Sequence, residues 1–212
     1  MSNYNVTLSE LDAYVAMRES VGYFSQQCTL LNPNGPTQFV ENKLQNEIFL
    51  SYKHSNNIAI DASRQSGITT SLALMALHTA TFNANQTIAL MSHKFDQARE
   101  ILARIREYYH SLPDSSIIKP KLLRDNKAEI IFDNNCRIIA VHATTERLRG
   151  TGINHLFVDN LAFIDLSKFI EMYGPLFNVY PTGRMVVATT GSRIHPDYIM
   201  HMARRGVKYI SV

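Results

Sequence analysis

One stretch of the 212-residue sequence combines a short apolar run with residues that can hold a phosphate group. Residues 57–61, NIAID, predict a buried strand, and a helix is predicted over 69–83. In the loop between them, Gly67 lets the backbone approach an anion closely, and the helix amino terminus adds N–H donors and a positive dipole. Thr69 is placed to offer a hydroxyl to Mg²⁺. The stretch predicts a phosphate-binding loop, with an ordinary turn capped by Thr69 or Thr70 as the alternative.

A second apolar strand ends in a carboxylate that complements this loop. In HLFVDNLAF, Asp159 follows the buried run, where phosphate-loop proteins carry a magnesium-holding aspartate. An aspartate that ends a strand is also a common turn former. Ligands of parallel sheets bind beyond the carboxyl ends of the strands. We therefore expect one rim to gather the loops after Asp61, Met91, Asp159 and Thr190.

The elements that position these loops alternate between strands and helices. Strands are predicted at 57–61, 86–92, 128–133, 137–143, 153–159, 184–190 and 207–211, and helices at 8–19, 39–52, 69–83, 94–112, 167–178 and 196–205. This order is typical of an α/β protein whose mostly parallel sheet is sandwiched by helices. The tripeptide at 133–135, Asp-Asn-Asn, predicts a hairpin that adds an antiparallel element.

Composition places the chain among globular proteins. A hydrophobic fraction of 45% is enough for a full core, and a formal charge of +3 permits contact with nucleic acid without requiring it. No apolar run reaches the roughly 18 residues that span a bilayer, and the first residues lack the pattern of a signal peptide. Cys28 and Cys136 stand far apart, as expected of free thiols in a reducing compartment. The sequence therefore predicts a soluble intracellular protein that does not enter membranes.

A turn-rich segment divides the sequence into two predicted parts. LNPNGPTQ, at residues 31–38, separates a predicted N-terminal helical arm, residues 1–37, from a predicted core, residues 38–212. The last predicted strand ends the core, so no second domain is expected after it.

The long helix after the second strand of the core carries three arginines. Arg99, Arg104 and Arg106 alternate with glutamates, which predicts a solvated, ion-paired face. His93 and Lys94 precede this helix on the predicted functional rim, where contact with a ligand is an open alternative to a surface position.

In order and spacing these motifs resemble the ATPase domain of the large terminase subunit, the motor that packages DNA in tailed bacteriophages, from about Leu44 onward. SRQSGITT resembles the family's Ser-Arg-Gln-x-Gly-Lys-Thr-Thr loop. TTERLRGTGINHLFVDNLAFID is similar to its Arg-Gly stretch leading into apolar residues, Asp-Glu and Ala-Phe-Ile, and MVVATTGSRIHPDYIM is similar to its coupling motif. The resemblance implies a phosphate-loop NTPase fold of the ASCE type.

The resemblance also implies which residues would bind nucleotide and metal. Thr69 and Asp159 would hold Mg²⁺. The nucleotide-binding residues would be Gln45, at the place of the family's adenine-sensing glutamine, and the loop residues Ser63, Arg64, Gln65, Ser66, Gly67, Ile68, Thr69 and Thr70.

Two further sets of residues acquire roles through the resemblance. Thr189 and Thr190 would belong to the coupling motif. Arg149 aligns with the arginine finger that acts on a neighbouring subunit's nucleotide, and the nearby Arg147 is the alternative.

Two positions depart from the family's pattern, and both carry chemistry. Ile68 replaces the lysine that would reach the β- and γ-phosphates, and Asn160 replaces the glutamate that would orient and polarise the attacking water. Arg64, at the start of the loop, is expected to take over the phosphate contact with its bidentate guanidinium. Asn160 can hold a water but cannot accept its proton, and losing a positioned base typically slows a reaction ~10²- to 10⁴-fold. We therefore expect nucleotide binding, with hydrolysis in doubt.

The function implied by the resemblance is an ATPase that uses ATP and Mg²⁺ to drive DNA into the procapsid, in the host cytoplasm. The implied partners are DNA, the portal protein, the small terminase subunit and further copies of the chain in a ring. Whole terminases also carry a nuclease domain, which is not expected within this sequence. The alternatives are a catalytically impaired pseudo-ATPase with a regulatory or structural role, and a helicase-like or other phosphate-loop NTPase.

Overall fold

An eight-stranded sheet forms the centre of the structure, a computed structural model that describes residues 8–32, 35–114, 118–143, 152–171, 183–191, 194–203 and 206–211. The strands of this sheet are β3 (Asn57–Ala62), β4 (Thr87–Ser92), β5 (Leu122–Asn126), β6 (Glu129–Phe132), β7 (Arg137–His142), β8 (His155–Asp159), β9 (Arg184–Thr190) and β10 (Lys208–Ser211). A separate hairpin pairs β1 (Thr29–Asn32) with β2 (Gly35–Gln38). The helices are α1 (Leu8–Glu19), α2 (Val21–Ser25), α3 (Lys43–His54), α4 (Ile68–Phe82), α5 (Phe95–Ser111) and α6 (Pro196–Ala203).

The order of the strands across the sheet is β10-β3-β9-β8-β4-β7-β6-β5. Every neighbouring pair from β10 to β7 is parallel, whereas β7–β6 and β6–β5 are antiparallel. All of β3 is buried, as expected of a parallel strand that is covered on both faces. The predicted α/β fold, with a mostly parallel sheet and an added hairpin, is confirmed. The carboxyl ends of β3, β9, β8 and β4 lie side by side at one edge.

The sequence-based prediction missed strand β5 and the β1–β2 hairpin. Most of the side chains of β5 are exposed, so its sequence LLRDN lacks the alternation that marks a half-buried strand. As the edge strand it pairs only with β6 in the sheet order, and Arg106 of α5 donates to Asp125 at 2.7 Å. Helix α3 begins at Lys43, later than predicted, because the side chain of Asn42 accepts from the N–H of Gln45 and caps it.

Helix α4 runs along the sheet and is buried over almost its whole surface. All of its residues except Thr69, Thr70 and Thr81 are buried. Burying one leucine or isoleucine side chain stabilises a fold by about 1.5–3 kcal/mol, so the apolar residues of α4 fix its position firmly. Because the phosphate-loop candidate ends at the first residue of α4, this burial also fixes the end of that loop.

The predicted N-terminal arm packs against α4. Met17, Val21 and Phe24 belong to the same hydrophobic cluster as the apolar residues of α4. The ring of Phe24 is fully buried, with its centroid 5.5 Å from that of His78 and 5.6 Å from that of Phe82. The N-terminal helices thus share the core of the sheet, and a division of the chain at residue 37 stays a prediction.

Other predictions concern single elements and side chains. Residues 166–171 are helical, and the remainder of the helix predicted at 167–178 lies outside the described residues. Cys28 and Cys136 are buried free thiols, and burial raises the pKa of Cys28 to about 12. In the described part of the chain, none of the helices has the length and apolar character needed to cross a bilayer.

Substituting Phe24→Ala tests whether the N-terminal helices contribute to the core. We expect the free energy of unfolding to fall by about 3–5 kcal/mol, because the substitution leaves a cavity between two rings of α4. The control is Tyr23→Ala. Because Tyr23 is 42% exposed, this substitution should lower the free energy of unfolding by less than about 1 kcal/mol. Urea denaturation followed by circular dichroism gives both values. Equal losses for the two variants would contradict the shared core.

Candidate phosphate-binding site

A cavity of about 530 Å³ opens at the edge where the carboxyl ends of the parallel strands meet. Its size lies within the range of roughly 300–1,000 Å³ that is usual for small-molecule sites. It is lined by residues 64–70 and by His93, Gln97, Arg104, Asn160, Phe163 and Thr190. These residues come from the loops and helices that follow β3, β4, β8 and β9. The predicted meeting of these four loops is therefore observed.

The loop between β3 and α4 turns through two left-handed residues. Gln65 has a φ of 63° and Gly67 a φ of 88°. A Cβ on residue 67 would stand 2.5 Å from Nε2 of Gln45, so this position requires glycine for space as well as for conformation. Gly67 directly precedes α4, so the loop brings the cavity against the helix amino terminus.

Helix α3 braces the loop from the side opposite the cavity. Nδ2 of Asn42 donates to the carbonyl of Ser66 at 3.1 Å, and Nε2 of Gln45 donates to the carbonyl of Gly67 at 3.2 Å. In a trans peptide the N–H points away from the preceding carbonyl, so these bonds turn the N–H groups of Gly67 and Ile68 away from α3. Such a row of outward N–H groups at a helix start is suited to an anion.

Gln45 lies behind the loop and contacts its backbone. It is only 4% exposed and is absent from the cavity lining. Its Oε1 accepts from the N–H of Asn42 at 3.0 Å, which completes a capping box, while its Nε2 holds Gly67. The contacts of Gln45 thus shape the loop, and its adenine-sensing role stays a prediction.

Thr69 lines the cavity and contacts Asp159, which is not itself among the lining residues. The hydroxyl of Thr69 donates to Oδ2 of Asp159 at 3.1 Å, and the N–H of Asn160 donates to Oδ1 at 2.9 Å. Asp159 is 5% exposed. Burial raises the pKa of Asp159, whereas the two hydrogen bonds and the charge of Arg104 lower it. A hydroxyl and a buried carboxylate at one point are oxygen ligands of the kind that Mg²⁺ prefers.

Asn160 adopts a left-handed conformation with a φ of 58° immediately after β8. Asparagine tolerates this conformation better than most residues. Its Nδ2 lies 3.5 Å from Oε1 of Gln97, which also accepts from Oγ of Ser92 at 2.9 Å. Sequence reasoning missed Gln97, although its place in the first turn of α5, after β4, was a usable signal.

Ile68 and Arg64 take different positions in the loop. Ile68 is 2% exposed and joins the main hydrophobic cluster, so no charge enters the cavity from its side chain. Arg64 is exposed and lies across Gly191, where an added Cβ would stand 2.9 Å from its Nε. Gly191 has a φ of 73° and follows β9, so the side chain of Arg64 reaches from the loop to the end of β9.

The remaining predicted residues divide into three groups. Thr70 and Thr190 line the cavity, whereas Ser63 does not, and Thr189 is fully buried within β9. Arg149 and its alternative, Arg147, lie outside the described residues.

The sequence missed Phe163 as a cavity residue and did not assign Arg104 to the cavity, whereas His93 lies there as one of its two open alternatives allowed. The ring centroids of His93 and Phe163 are 5.1 Å apart, and Phe163 is 57% exposed. Arg104 lines the cavity, although the sequence pattern assigned it to an ion-paired surface. Oγ of Ser66 and Nδ1 of His93 are buried side-chain atoms that find no hydrogen-bond partner among the described residues. Such atoms are available to bind water, an ion or a polar ligand in the cavity.

The chain is similar to a known protein family and to several solved structures. Residues 59–205 match the family described as terminase large subunit, T4likevirus-type, N-terminal. This match covers more than half of the chain. It includes the loop at residues 63–70, Asp159 and Asn160 at the end of β8, and all of β9.

Three solved structures share the fold. The large terminase of bacteriophage HK97 is 14% identical, with a TM-score of 0.70 over 92% of this chain and 43% of that chain. The ATPase domain of the large terminase of Thermus phage P74-26 is 16% identical, with a TM-score of 0.64 over 76% of this chain and 69% of that one. The large terminase of a thermophilic bacteriophage, solved in complex with ATP-gamma-S, is 12% identical, with a TM-score of 0.59 over 80% of this chain and 44% of that one.

Proposed function

The chain belongs to the family of terminase large subunits of the T4-like-virus type, and from that premise we propose that it binds Mg²⁺-ATP in the cavity as the ATPase domain of a DNA-packaging motor. One observation carries this proposal. The hydroxyl of Thr69 and the buried carboxylate of Asp159 are 3.1 Å apart beneath a glycine loop whose N–H groups face away from its brace. The proposed phosphate site at the loop and the proposed metal site at Thr69 and Asp159 would thus be adjacent, as hydrolysis of a nucleoside triphosphate requires.

The loop would bind the phosphates mainly through its backbone. The peptide groups of Gly67 and Ile68 turn their N–H groups away from α3, and α4 adds the positive end of its dipole. The unpartnered Oγ of Ser66 is a further donor on the same loop. Backbone donors of this kind do not depend on the side chain at position 68, which supports binding without the usual lysine.

Thr69 and Asp159 would hold Mg²⁺. Their oxygens fit this ion, and the buried charge of Asp159 lacks a cation within ion-pair distance among the described residues. Bound there, the ion would neutralise charge on the β- and γ-phosphates. Hydrogen bonds from the hydroxyl of Thr69 and from the N–H of Asn160 orient the two carboxylate oxygens of Asp159.

Arg64 would supply the phosphate contact that Ile68 lacks. Its guanidinium lies at the mouth of the cavity, beside the end of β9, and is exposed enough to turn onto a bound phosphate. A planar guanidinium can bind phosphate through two parallel hydrogen bonds from one rigid group, a geometry that the ammonium of lysine lacks.

Asn160 would orient the attacking water without accepting its proton. Its side chain faces the cavity, and its contact with Gln97 restrains the amide. Phosphoryl transfer depends largely on positioning and charge stabilisation, so we propose slow hydrolysis. A pseudo-ATPase that binds nucleotide without turnover is the second candidate function, because the lysine and the glutamate are both replaced.

The wider assembly belongs to the same proposal. Family membership supports action on DNA together with a portal protein and a small terminase subunit, within a ring of copies at the procapsid vertex in the host cytoplasm. Within such a ring Arg149 would act on a neighbouring copy's nucleotide. Thr190, which lines the cavity at the end of β9, would act with Thr189 as the coupling motif that responds to the state of the cavity.

Substituting Arg64→Ala tests the phosphate contact. We expect the dissociation constant for Mg²⁺-ATP to rise about ten- to a hundredfold, because a hydrogen bond to a charged group is lost. Isothermal titration calorimetry measures binding, and phosphate release is followed on the same sample. Arg124→Ala, on the outer strand β5, removes an exposed arginine and should bind as the wild type does. An Arg64 variant that binds Mg²⁺-ATP as tightly as the wild type would refute this role.

Substituting Asn160→Glu tests the cause of slow hydrolysis. A positioned base speeds a reaction by about 10²- to 10⁴-fold, whereas the left-handed backbone costs a longer side chain about 1–2 kcal/mol. Since each 1.36 kcal/mol is tenfold in rate, we expect phosphate release to rise at least about threefold. Asn160→Gln is the matched control, because it has the same length and backbone cost but no proton acceptor. If the two variants turn over ATP equally slowly, the missing base is not the limit.

A further inference from the structure

We propose that Arg104 of α5 contacts the phosphates of the bound nucleotide, supplying from a second side of the cavity the positive charge that Ile68 does not provide. This inference rests on the proposed nucleotide site. It assigns a role to a residue that lies outside the loop, the strand-end aspartate and the coupling motif. The sequence pattern alone had placed Arg104 on a solvated surface.

The periodicity of α5 places Arg104 and Gln97 on one flank of the helix. Gln97 and Arg104 are two helical turns apart, so their side chains point in nearly the same direction, and both line the cavity. Arg106 leaves the opposite flank, where it bonds to Asp125 of β5 at 2.7 Å. The buried residues Ile101 and Ile105 lie between the two flanks. The flank of α5 that carries Arg106 therefore faces the β5–β6 hairpin, and the flank that carries Gln97 and Arg104 faces the cavity.

The ion pairs of α5 also separate Arg104 from the other arginines of this helix. Arg99 pairs with Asp96 at 3.1 Å and Arg106 with Asp125 at 2.6 Å. Among the described residues, no carboxylate lies within ion-pair distance of Arg104, not even Glu100 one turn away. Arg104 is thus exposed, as the predicted solvated face implies, but the ion pair predicted for it is not found among the described residues. A guanidinium without a carboxylate partner, at the edge of a cavity, can accept an anion without first breaking an ion pair.

Arg104 lines the same cavity as the loop and as Asn160, the residue that directly follows Asp159. Arg64 approaches the cavity from the end of β9, whereas Arg104 approaches from α5. Two guanidinium groups on different sides would neutralise a polyphosphate better than one, and they would favour triphosphate over shorter anions.

The test compares Arg104→Ala with Arg99→Ala in the full chain. Both variants remove an arginine from α5, but Arg99 lies on the other flank, paired with Asp96 and 5.9 Å from the ring of Phe95. Calorimetry measures the dissociation constants for Mg²⁺-ATP and for Mg²⁺-tripolyphosphate, a probe without base or sugar. We expect Arg104→Ala to weaken both by the same factor, about five- to thirtyfold, and Arg104→Lys to recover part of it. Arg99→Ala should bind both as the wild type does.

The possible results separate this inference from the proposed function. If the wild type binds both probes and the dissociation constants of Arg104→Ala lie within twofold of the wild-type values, the role of Arg104 is overturned. The proposed nucleotide site would then still stand. Weaker ATP binding with unchanged tripolyphosphate binding would also overturn it, since the contact would then be to base or sugar. A wild type that binds neither probe would overturn both proposals. Thermal unfolding midpoints of the variants exclude loss of folding as the cause.

Discussion

The burial of α4 is the constraint on which the rest of this structure depends. The helix contacts α2, α3 and α5 as well as β7, β8 and β9, and almost all of its side chains are hidden from water. Turning or sliding it would expose apolar surface at about 25 cal/mol per Å². Its first turn is therefore held at the end of β8, where Thr69 meets Asp159. The N-terminal helices, which resemble an appendage in the sequence, complete this burial.

Several unfavourable features of the fold lie around the cavity. Gln65, Gly67, Asn160 and Gly191 have positive φ and border the cavity or contact a residue that does, whereas Asn85 and Asn135, which also have positive φ, lie elsewhere. Asp159 is a buried carboxylate whose pKa is raised by burial, so its ionised form destabilises the ligand-free fold at neutral pH. Strained backbone and a buried charge persist where the surrounding packing is strong and where a ligand offsets their cost. Here the rigid α4 and the brace from Asn42 and Gln45 supply that packing.

The sequence was sufficient to predict the sheet, the loop and the meeting of Thr69 with Asp159, because apolar periodicity and strand ends encode them locally. It was not sufficient for features that depend on tertiary packing. Ile68 could be seen to lack a charge, but its place in the main cluster required the structure. Gln97 and Arg104 enter the cavity through the orientation of α5, and an alternation of charges along a helix does not report which flank faces a neighbour. Strand β5 owes its position to pairing with β6 at an exposed edge.

A crystal structure of the chain soaked with Mg²⁺ and ATP-gamma-S tests the central claim most directly, namely that this cavity holds a metal-bound nucleotide without the usual loop lysine. We predict phosphate density against the N–H groups of Gly67 and Ile68, and a metal ion coordinated by Thr69 with Asp159 beside it. Both guanidinium groups, from Arg64 and Arg104, should face the phosphates. Nucleotide density elsewhere, or a cavity that stays empty at millimolar ligand while Thr69 keeps its bond to Asp159, would contradict the account.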